Sequence, residues 1–440
     1  MAIPVDNGLP ATIVALSSAP GRAGVALIRV SGPHVRFVLE TMAGGVPVPR
    51  QATLRRLSDA AGETIDRALI LYFPTPHSFT GEDVAEFHVH GARAVVARLL
   101  EALTGFPGLR LAEPGEFTRR AFEAGKLDLA AVEGLADLID SETEWQRRQA
   151  LRQMEGALGQ VTEGWRGRLI EAMALLAAEL DFSDEGDVDG PLVERARAIA
   201  LEVLAELRQA LGSFARGERI RDGFVVVLAG PPNAGKSSLL NALARRDVAI
   251  VSPIAGTTRD AIEVRLDLDG MPVTLIDTAG LRESEDMIEA EGVRRALALA
   301  ARADLVLRIR SVDAAQDPFL GTDNTLAVAS KSDLPVPPLP GEIAVSAETG
   351  AGLAELLSAI TTRLADGPQG EPALLTRQRH RVAVTEAIEA LARAARPGLA
   401  EAELMAEDLR QAVVALERLI GRIGVEDVLD QLFAGFCIGK

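Results

Sequence analysis

The chain holds a single cysteine, Cys437, in 440 residues. One thiol excludes an intramolecular disulfide framework and points to a reducing, cytoplasmic setting. No run of about 18 apolar residues occurs, so no membrane-spanning helix is expected. The opening stretch MAIPVDNGLPATIVAL lacks the basic n-region of a signal peptide. Positive charge is also scarce. The net charge of −17 removes non-specific attraction to nucleic acid, so contact with RNA needs a local basic patch or a basic partner. Lysine is rarer still: of 46 basic residues only Lys126, Lys236, Lys331 and Lys440 are lysines. The blandest cause of that bias is a GC-rich genome. A lysine that persists marks a place where arginine's planar fork does not fit. What remains is 48% apolar, enough for two or three domains with cores of their own.

Two of the four lysines fall in nucleotide motifs. Phe224 to Ala229 is an unbroken apolar run, the pattern of a buried parallel strand. Then comes Gly230-Pro-Pro-Asn233-Ala234-Gly235-Lys236-Ser237, which fits G-x-x-x-x-G-K-[ST] and runs on into Ser238. The backbone N–H groups of such a loop wrap phosphates. Lys236 reaches the β and γ oxygens as a catalytic cation, and Ser237 takes Mg²⁺. The following SSLLNAL reads as a helix whose N-terminus faces the anion.

Four further motifs follow in order. The loop Ser252, Pro253, Ile254, Ala255, Gly256, Thr257, Thr258 supplies a threonine for Mg²⁺ and the γ-phosphate. A strand ending in Asp277 leads to Thr278, Ala279 and Gly280, whose backbone N–H senses the γ-phosphate. Ser330, Lys331, Ser332 and Asp333 follow the apolar run Leu326 to Ala329. Asp333 can accept two hydrogen bonds from N1 and N2 of guanine, which adenine cannot supply. Ser346, Ala347 and Glu348 follow Ile343-Ala-Val345. Motifs at successive strand ends predict a doubly wound sheet with the nucleotide at its carboxyl edge. Residues 218–366 thus resemble a Ras-like G domain of the translation-factor-related GTPases.

This G domain departs from the usual pattern. The guanine motif commonly reads N-K-x-D, and here Ser330 stands in place of Asn. A hydroxyl makes a weaker contact to the base, so specificity rests largely on Asp333. The stretch from Ser311 to Asn324 is too short for the usual helix. Leu281 follows Gly280 where many switch GTPases carry a water-positioning Gln, and an alkyl chain cannot orient water. An acid from the next segment, among Glu283, Glu285, Asp286, Glu289 and Glu291, has to serve, the rest being a solvated switch loop. Asn233 is either an inert loop residue or a ligand to a monovalent cation. With neither arginine finger nor Gln, the transition state needs another positive charge, which K⁺ on Asn233 and the carbonyls of the 252–257 loop would supply.

Around this core, residues 119–217 and 367–440 carry apolar residues at helical spacing, broken by a solvated acidic loop, DFSDEGDVDG, at 181–190. Neither half is a complete bundle. We expect one helical domain with the G domain inserted through linkers near Gly217 and Asp366. Residues 1–118 alternate short β-rich runs with loops and a helix at 91–104, an α+β domain. The whole is therefore multidomain α/β. His88 and His90 share a strand face at metal-like spacing, but no third ligand is evident and no metal is expected there.

Taken together, Gly24-Val-Ala-Leu-Ile-Arg29-Val-Ser-Gly, Phe79-Thr-Gly-Glu-Asp-Val-Ala-Glu86, Pro114-Gly-Glu-Phe, Lys126-Leu-Asp-Leu-Ala, the phosphate loop and the closing Phe436-Cys437-Ile438-Gly439-Lys440 closely resemble the TrmE/MnmE family of bacterial and mitochondrial tRNA modification GTPases. The resemblance covers essentially all 440 residues. It implies K⁺-dependent GTP hydrolysis to GDP and phosphate, and homodimerisation through the N-terminal domain, which binds tetrahydrofolate. It also implies a heterotetramer with an FAD-dependent subunit, the FAD being bound by that partner. Together they add an aminomethyl or carboxymethylaminomethyl group to C5 of the wobble uridine (U34) of tRNA, using a folate one-carbon unit. By resemblance the folate contacts are Arg29, Glu86, Lys126 and Lys440. The K⁺ ligands are Asn233, Ser252, Ile254 and Thr257, and the Mg²⁺ ligands are Ser237 and Thr258. The catalytic acid is Glu289. The competing reading is an assembly or regulatory GTPase switch without modification chemistry, and the N-terminal pattern and the tail speak against it.

Cys437 is either a small packed hydrophobe or a chemical group, as nucleophile or acid/base. Arg29, Glu86 and Lys126 lie in or beside the N-terminal domain, so the tail has to fold back to join them. We expect it to be packed by Phe436 and Ile438, with Gly439 allowing a close approach.

Overall fold

The computed structural model describes residues 11–182, 192–246, 248–250, 263–277, 301–314, 324–365, 373–396, 402–424, 426–436 and 438–439. The chain forms two compact units. Residues 1–136, 158–188 and 402–440 belong to the first, and 137–157 and 189–401 to the second. Helices are shared between both.

The first unit is built on a six-stranded sheet of β1 (Thr12–Leu16), β2 (Ala23–Ser31), β3 (Thr53–Ser58), β4 (Thr64–Phe73), β5 (Val84–Gly91) and β6 (Leu109–Leu111). Their order is β3-β4-β5-β2-β1-β6. Neighbours run antiparallel except β1 and β6, which are parallel. Period-two alternation decides which face is covered. Ala68, Ile70 and Tyr72 of β4 point into the core, while Leu69 between them is exposed. Helices α1 (Val35–Ala43) and α2 (Arg93–Thr104) cover the apolar face, joining Val38, Leu39 and Leu99 to Ile28, Val30 and Phe87. Burial of a side chain such as Phe87 contributes about 1.5–3 kcal/mol. Helices α3 (Glu116–Glu123), α4 (Leu129–Asp140), α6 (Ala157–Phe182), α12 (Ala402–Ile420) and α13 (Glu426–Ala434) fall wholly or largely in this unit. Arg166 of α6 donates to Glu417 of α12 at 2.9 Å, and Arg119 of α3 pairs with Asp430 of α13 at 2.7 Å.

The second unit holds β7 (Phe224–Ala229), β8 (Glu263–Leu268), β9 (Met271–Asp277), β10 (Leu305–Ser311), β11 (Thr325–Ser330) and β12 (Ile343–Ala344) in the order β12-β11-β10-β7-β9-β8. Every pairing is parallel except β8 on β9. Helices α9 (Lys236–Ala244) and α10 (Leu353–Ala365) contribute Leu239, Leu240, Leu356 and Ile360 to the core beside Val226, Leu228 and Leu275. The remaining helices are α5 (Glu144–Met154), α7 (Leu192–Gly212), α8 (Phe214–Asp222) and α11 (Gln378–Ala394). Gly217 lies inside α8, and the helix gives way to β7 only at Gly223. The turn between β8 and β9 is held by α5, where the Trp145 N–H donates to Gly270 O at 3.0 Å and Arg265 pairs with Glu142 at 3.2 Å. No helix among the described residues is long and apolar enough to cross a membrane.

Candidate active site

The nucleotide end of the site grows from the carboxyl edge of the second sheet. β7 ends at Gly230, whose φ is +154° and where a Cβ would lie 2.1 Å from Ile309 O. Only glycine fits so close to the neighbouring strand. The loop continues through Asn233 in the left-handed region, φ +63°, which Asn tolerates better than most residues. It closes at Gly235, directly before α9. Lys236 is buried, and its Nζ donates to Gly230 O and Pro231 O at 2.8 Å each. Ser237 Oγ donates to Asp277 Oδ2 at 2.5 Å, so the loop serine and the acid ending β9 meet. Two adjacent oxygen donors, one of them a carboxylate, suit a hard divalent cation.

Beside the loop lies a cavity of about 500 Å³, lined by residues including Gly235, Ser238, Ser330, Lys331, Asp333, Ala347 and Glu348. Ser346 Oγ donates to Asp333 Oδ1 at 2.6 Å. That bond first, then a backbone hydrogen bond and the Lys331 charge, holds the Asp333 carboxyl below the usual carboxylate range. Asp333 thus enters the cavity as an anion with acceptor capacity left over. Ser330 does not turn its hydroxyl towards that space, because its Oγ donates inward to Ala234 O at 2.6 Å. Arg310, buried on β10, makes a two-pronged pair with Glu342 at 2.7 and 3.0 Å and donates to Ser311 O and Ala314 O. The pair fastens the chain just after β10.

In the first unit, Arg29 of β2 and Glu86 of β5 are register partners, and Arg29 Nη2 meets Glu86 Oε1 at 2.8 Å. The guanidinium lies over the rings of Phe79 and Phe117, 5.6 and 5.8 Å from their centroids. Arg29 Nε also donates to Glu86 Oε1, at 3.1 Å, so the acid and the two rings together fix the guanidinium. Lys126 is near the Phe79-Thr-Gly81 loop, its Cε 3.6 Å from where a Cβ on Gly81 would stand. The same loop is tied to α3: Ser31 Oγ and Arg120 both donate to Glu82, at 2.7 and 3.0 Å. The tail returns here. Ile438 forms an antiparallel bridge with Pro114, and a Cβ on Gly439, φ +101°, would stand 2.4 Å from Leu16 O. Phe436 packs on Phe433, ring centroids 5.9 Å apart, beside Val132. Ile438 differs from expectation. Its side chain is 57% exposed, and its backbone makes the attachment.

The structure therefore groups Asn233, Ala234, Gly235, Lys236, Ser237, Ser238 and Asp277 around the loop, and Ser330, Lys331, Asp333, Ala347 and Glu348 around the cavity, with Ser346 behind Asp333 and Ser332 tied by its backbone N–H to Val345 O. Arg29, Glu86 and Lys126 belong to the first unit. Ser252 to Thr258, Thr278, Ala279, Gly280, Leu281, Glu289, Cys437 and Lys440 lie outside the described residues, as does the 315–323 part of the short β10–β11 interval. Phe79, Glu82 and Phe117 stand within the sequence motifs, and the structure adds their contacts with Arg29 and Arg120. Glu82 stands four residues before Glu86, whereas Phe79 and Phe117 reach Arg29 only through the tertiary assembly of β2, β5 and α3. Of the strand histidines, His90 Nδ1 meets Asp66 at 2.9 Å, while His88 Nε2 stands 3.7 Å from Glu86, beyond hydrogen-bond distance. Among the described residues no cluster of three His, Cys, Asp or Glu could hold a metal.

A phosphate loop beside a cavity that carries an anionic aspartate is the combination found in nucleotide hydrolases with a choice of base. The class is a P-loop GTPase. Comparison with known proteins narrows it. Residues 12–126 match the N-terminus of the GTP-binding protein TrmE, and residues 129–437 match the MnmE helical domain. The tRNA modification GTPase MnmE of Rhodopseudomonas palustris is 52% identical over 440 residues, covering 98% of this chain and 99% of that protein. Its counterpart in Beijerinckia indica is 55% identical over 437 residues, covering 98% and 96%. Among solved structures, the G domain of the T. maritima FeoB iron transporter is 27% identical, with a TM-score of 0.24, over 32% of this chain and 98% of that one. The chain belongs to the MnmE (TrmE) family of tRNA modification GTPases.

Proposed function

We propose that this GTPase is K⁺-dependent and works with an FAD-dependent partner subunit to add an aminomethyl or carboxymethylaminomethyl group to C5 of U34, drawing the carbon from a tetrahydrofolate derivative. Glu289 orients the attacking water. Ser237 and Thr258 hold Mg²⁺, and Asn233, Ser252, Ile254 and Thr257 hold K⁺. Both ions supply positive charge where it develops on the transferring phosphoryl group. Arg29, Glu86, Lys126 and Lys440 bind the folate, and Cys437 acts at the one-carbon unit or at uridine. The protein is a cytoplasmic homodimer through residues 1–118, forming a heterotetramer with the partner. Residues 119–217 and 367–440 make one helical domain around the 218–366 G domain.

The observation that carries this reading is the tail. Its backbone bridge to Pro114 and its close approach to Leu16 put the flanks of Cys437 on the same unit as Arg29 and Glu86. A folate-side role for the tail requires that return. The test is mass spectrometry of tRNA nucleosides from a deletion strain complemented with wild type or Cys437→Ser. Wild type restores the modified wobble uridine. The serine variant keeps GTP hydrolysis and fails to restore it, since a hydroxyl is a far poorer nucleophile. Unaltered wobble uridine in the deletion strain would instead identify a switch without modification chemistry, and full restoration by the variant would make Cys437 a packing residue.

A further inference from the structure

We infer that Ser330 is a positioning residue for the phosphate loop and takes no part in reading the base. The inference rests on the cavity beside Asp333 being the base site. Ser330 sits at the end of β11 and is 5% exposed. Its Oγ lies 2.6 Å from Ala234 O and 3.2 Å from Arg310 O, both acceptors. A hydroxyl has one proton to give. At these distances that proton is committed to Ala234 O. The guanine edge away from Asp333 presents N7 and O6, which only accept. A hydroxyl with its proton spent offers nothing to two acceptors.

An asparagine at this position would differ in kind. Its amide carries two N–H protons and an oxygen, so it can hold a loop carbonyl and still donate to the base. Ser330 retains the inward half of that pair of tasks and drops the outward half. The inward half bears on phosphate binding. Ala234 O belongs to the peptide leading into Gly235, and a Cβ on Gly235 would lie 3.3 Å from Ser330 Oγ. Ser330 thus backs the part of the loop whose N–H groups face phosphate. Selection for guanine then falls to Asp333, with Ser346 behind it.

The test uses full-length protein and two probes, GDP and 7-deaza-GDP, in which N7 is replaced by C–H. Ser330→Ala should weaken both by one common factor, about fivefold to tenfold for one hydrogen bond. Ser330→Thr keeps the hydroxyl and should restore both affinities. Ser330→Asn should tighten GDP relative to 7-deaza-GDP. The inference is overturned if Ser330→Ala weakens GDP while sparing 7-deaza-GDP, or if it leaves both unchanged. Wild-type preference for GDP over ADP checks the cavity separately. Its absence would sink the base-site reading, whereas the shared factor reports on Ser330 alone.

Discussion

Replacing Asp333 by Asn tests the base site most directly. The carboxylate accepts from the Ser346 hydroxyl through Oδ1 at 2.6 Å, and its remaining lone pairs face the cavity. In Asp333→Asn the amide oxygen should keep the Ser346 bond, which aims the NH₂ group at the cavity. Guanine presents two donors there, so a donor would meet a donor. Hydrogen bonds to a charged group contribute about 1.5–3 kcal/mol each, so losing two costs about 3–6 kcal/mol, roughly a hundredfold to ten-thousandfold in affinity. Xanthine carries a carbonyl in place of the guanine amine and can accept from the new NH₂. The assay is kcat/KM for GTP and xanthosine triphosphate, with Kd for both diphosphates. GTP activity should collapse, and xanthosine triphosphate should become the better substrate. Hydrolysis of GTP at the wild-type kcat/KM would refute the placement of the base.

Other expectations are as specific. Wild-type turnover should be faster in KCl than in NaCl at equal ionic strength, and Asn233→Ala should erase the difference; equal wild-type rates would remove the K⁺ site. Glu289→Ala should lower kcat while leaving the Kd for GTP nearly unchanged, because orienting water is not ground-state binding. Asp333 has a depressed pKa, so guanine affinity should persist until the pH falls through that lowered value. Ser346→Ala removes the principal cause, the pKa rises, and the acid limb of GDP affinity should move to higher pH; coincident limbs for variant and wild type would contradict this. Glu342→Gln leaves the buried Arg310 charge without a counter-ion, a loss of about 3–5 kcal/mol. The thermal transition containing the G domain should drop by roughly 10 °C by calorimetry, at about 2–4 °C per kcal/mol.

The parts legible in the sequence are those whose signal is local. Phe224 to Ala229 is a strand over the predicted residues because an apolar run followed by a glycine-rich loop has few other readings. Asp277 and Ser330 end β9 and β11 for the same reason. The illegible parts are pairings over distance. Nothing in the serine for asparagine exchange at 330 revealed that its hydroxyl would reach Ala234 O, 96 residues away. Arg310 interrupts the apolar strand β10, and its partner Glu342 stands 32 residues on, in a loop with no periodic pattern. Phe79 and Phe117 flank Arg29 only after β2, β5 and α3 have assembled. The hydrophobicity of Ile438 suggests a side-chain anchor, yet a backbone bridge needs no particular side chain.

The discontinuous first unit has a consequence for the order in which the protein is made. Its sheet begins at Thr12, while α12, α13 and the bridge at Ile438 come only after residues 189–401 of the other unit. At about 5–20 residues per second of synthesis, the N-terminal sheet, complete at Leu111, waits on the order of 15 to 65 seconds for the end of the chain. Throughout that interval Val132 and Phe122 lack Phe433 and Phe436, and the strand end at Leu16 lacks the backbone that Gly439 brings to it. A ribosome that stalls within the G domain therefore releases a polypeptide with an intact phosphate loop but uncovered apolar surface elsewhere. Chaperones and proteases read such surface. A truncated chain can be told from a finished one by what its other unit leaves bare.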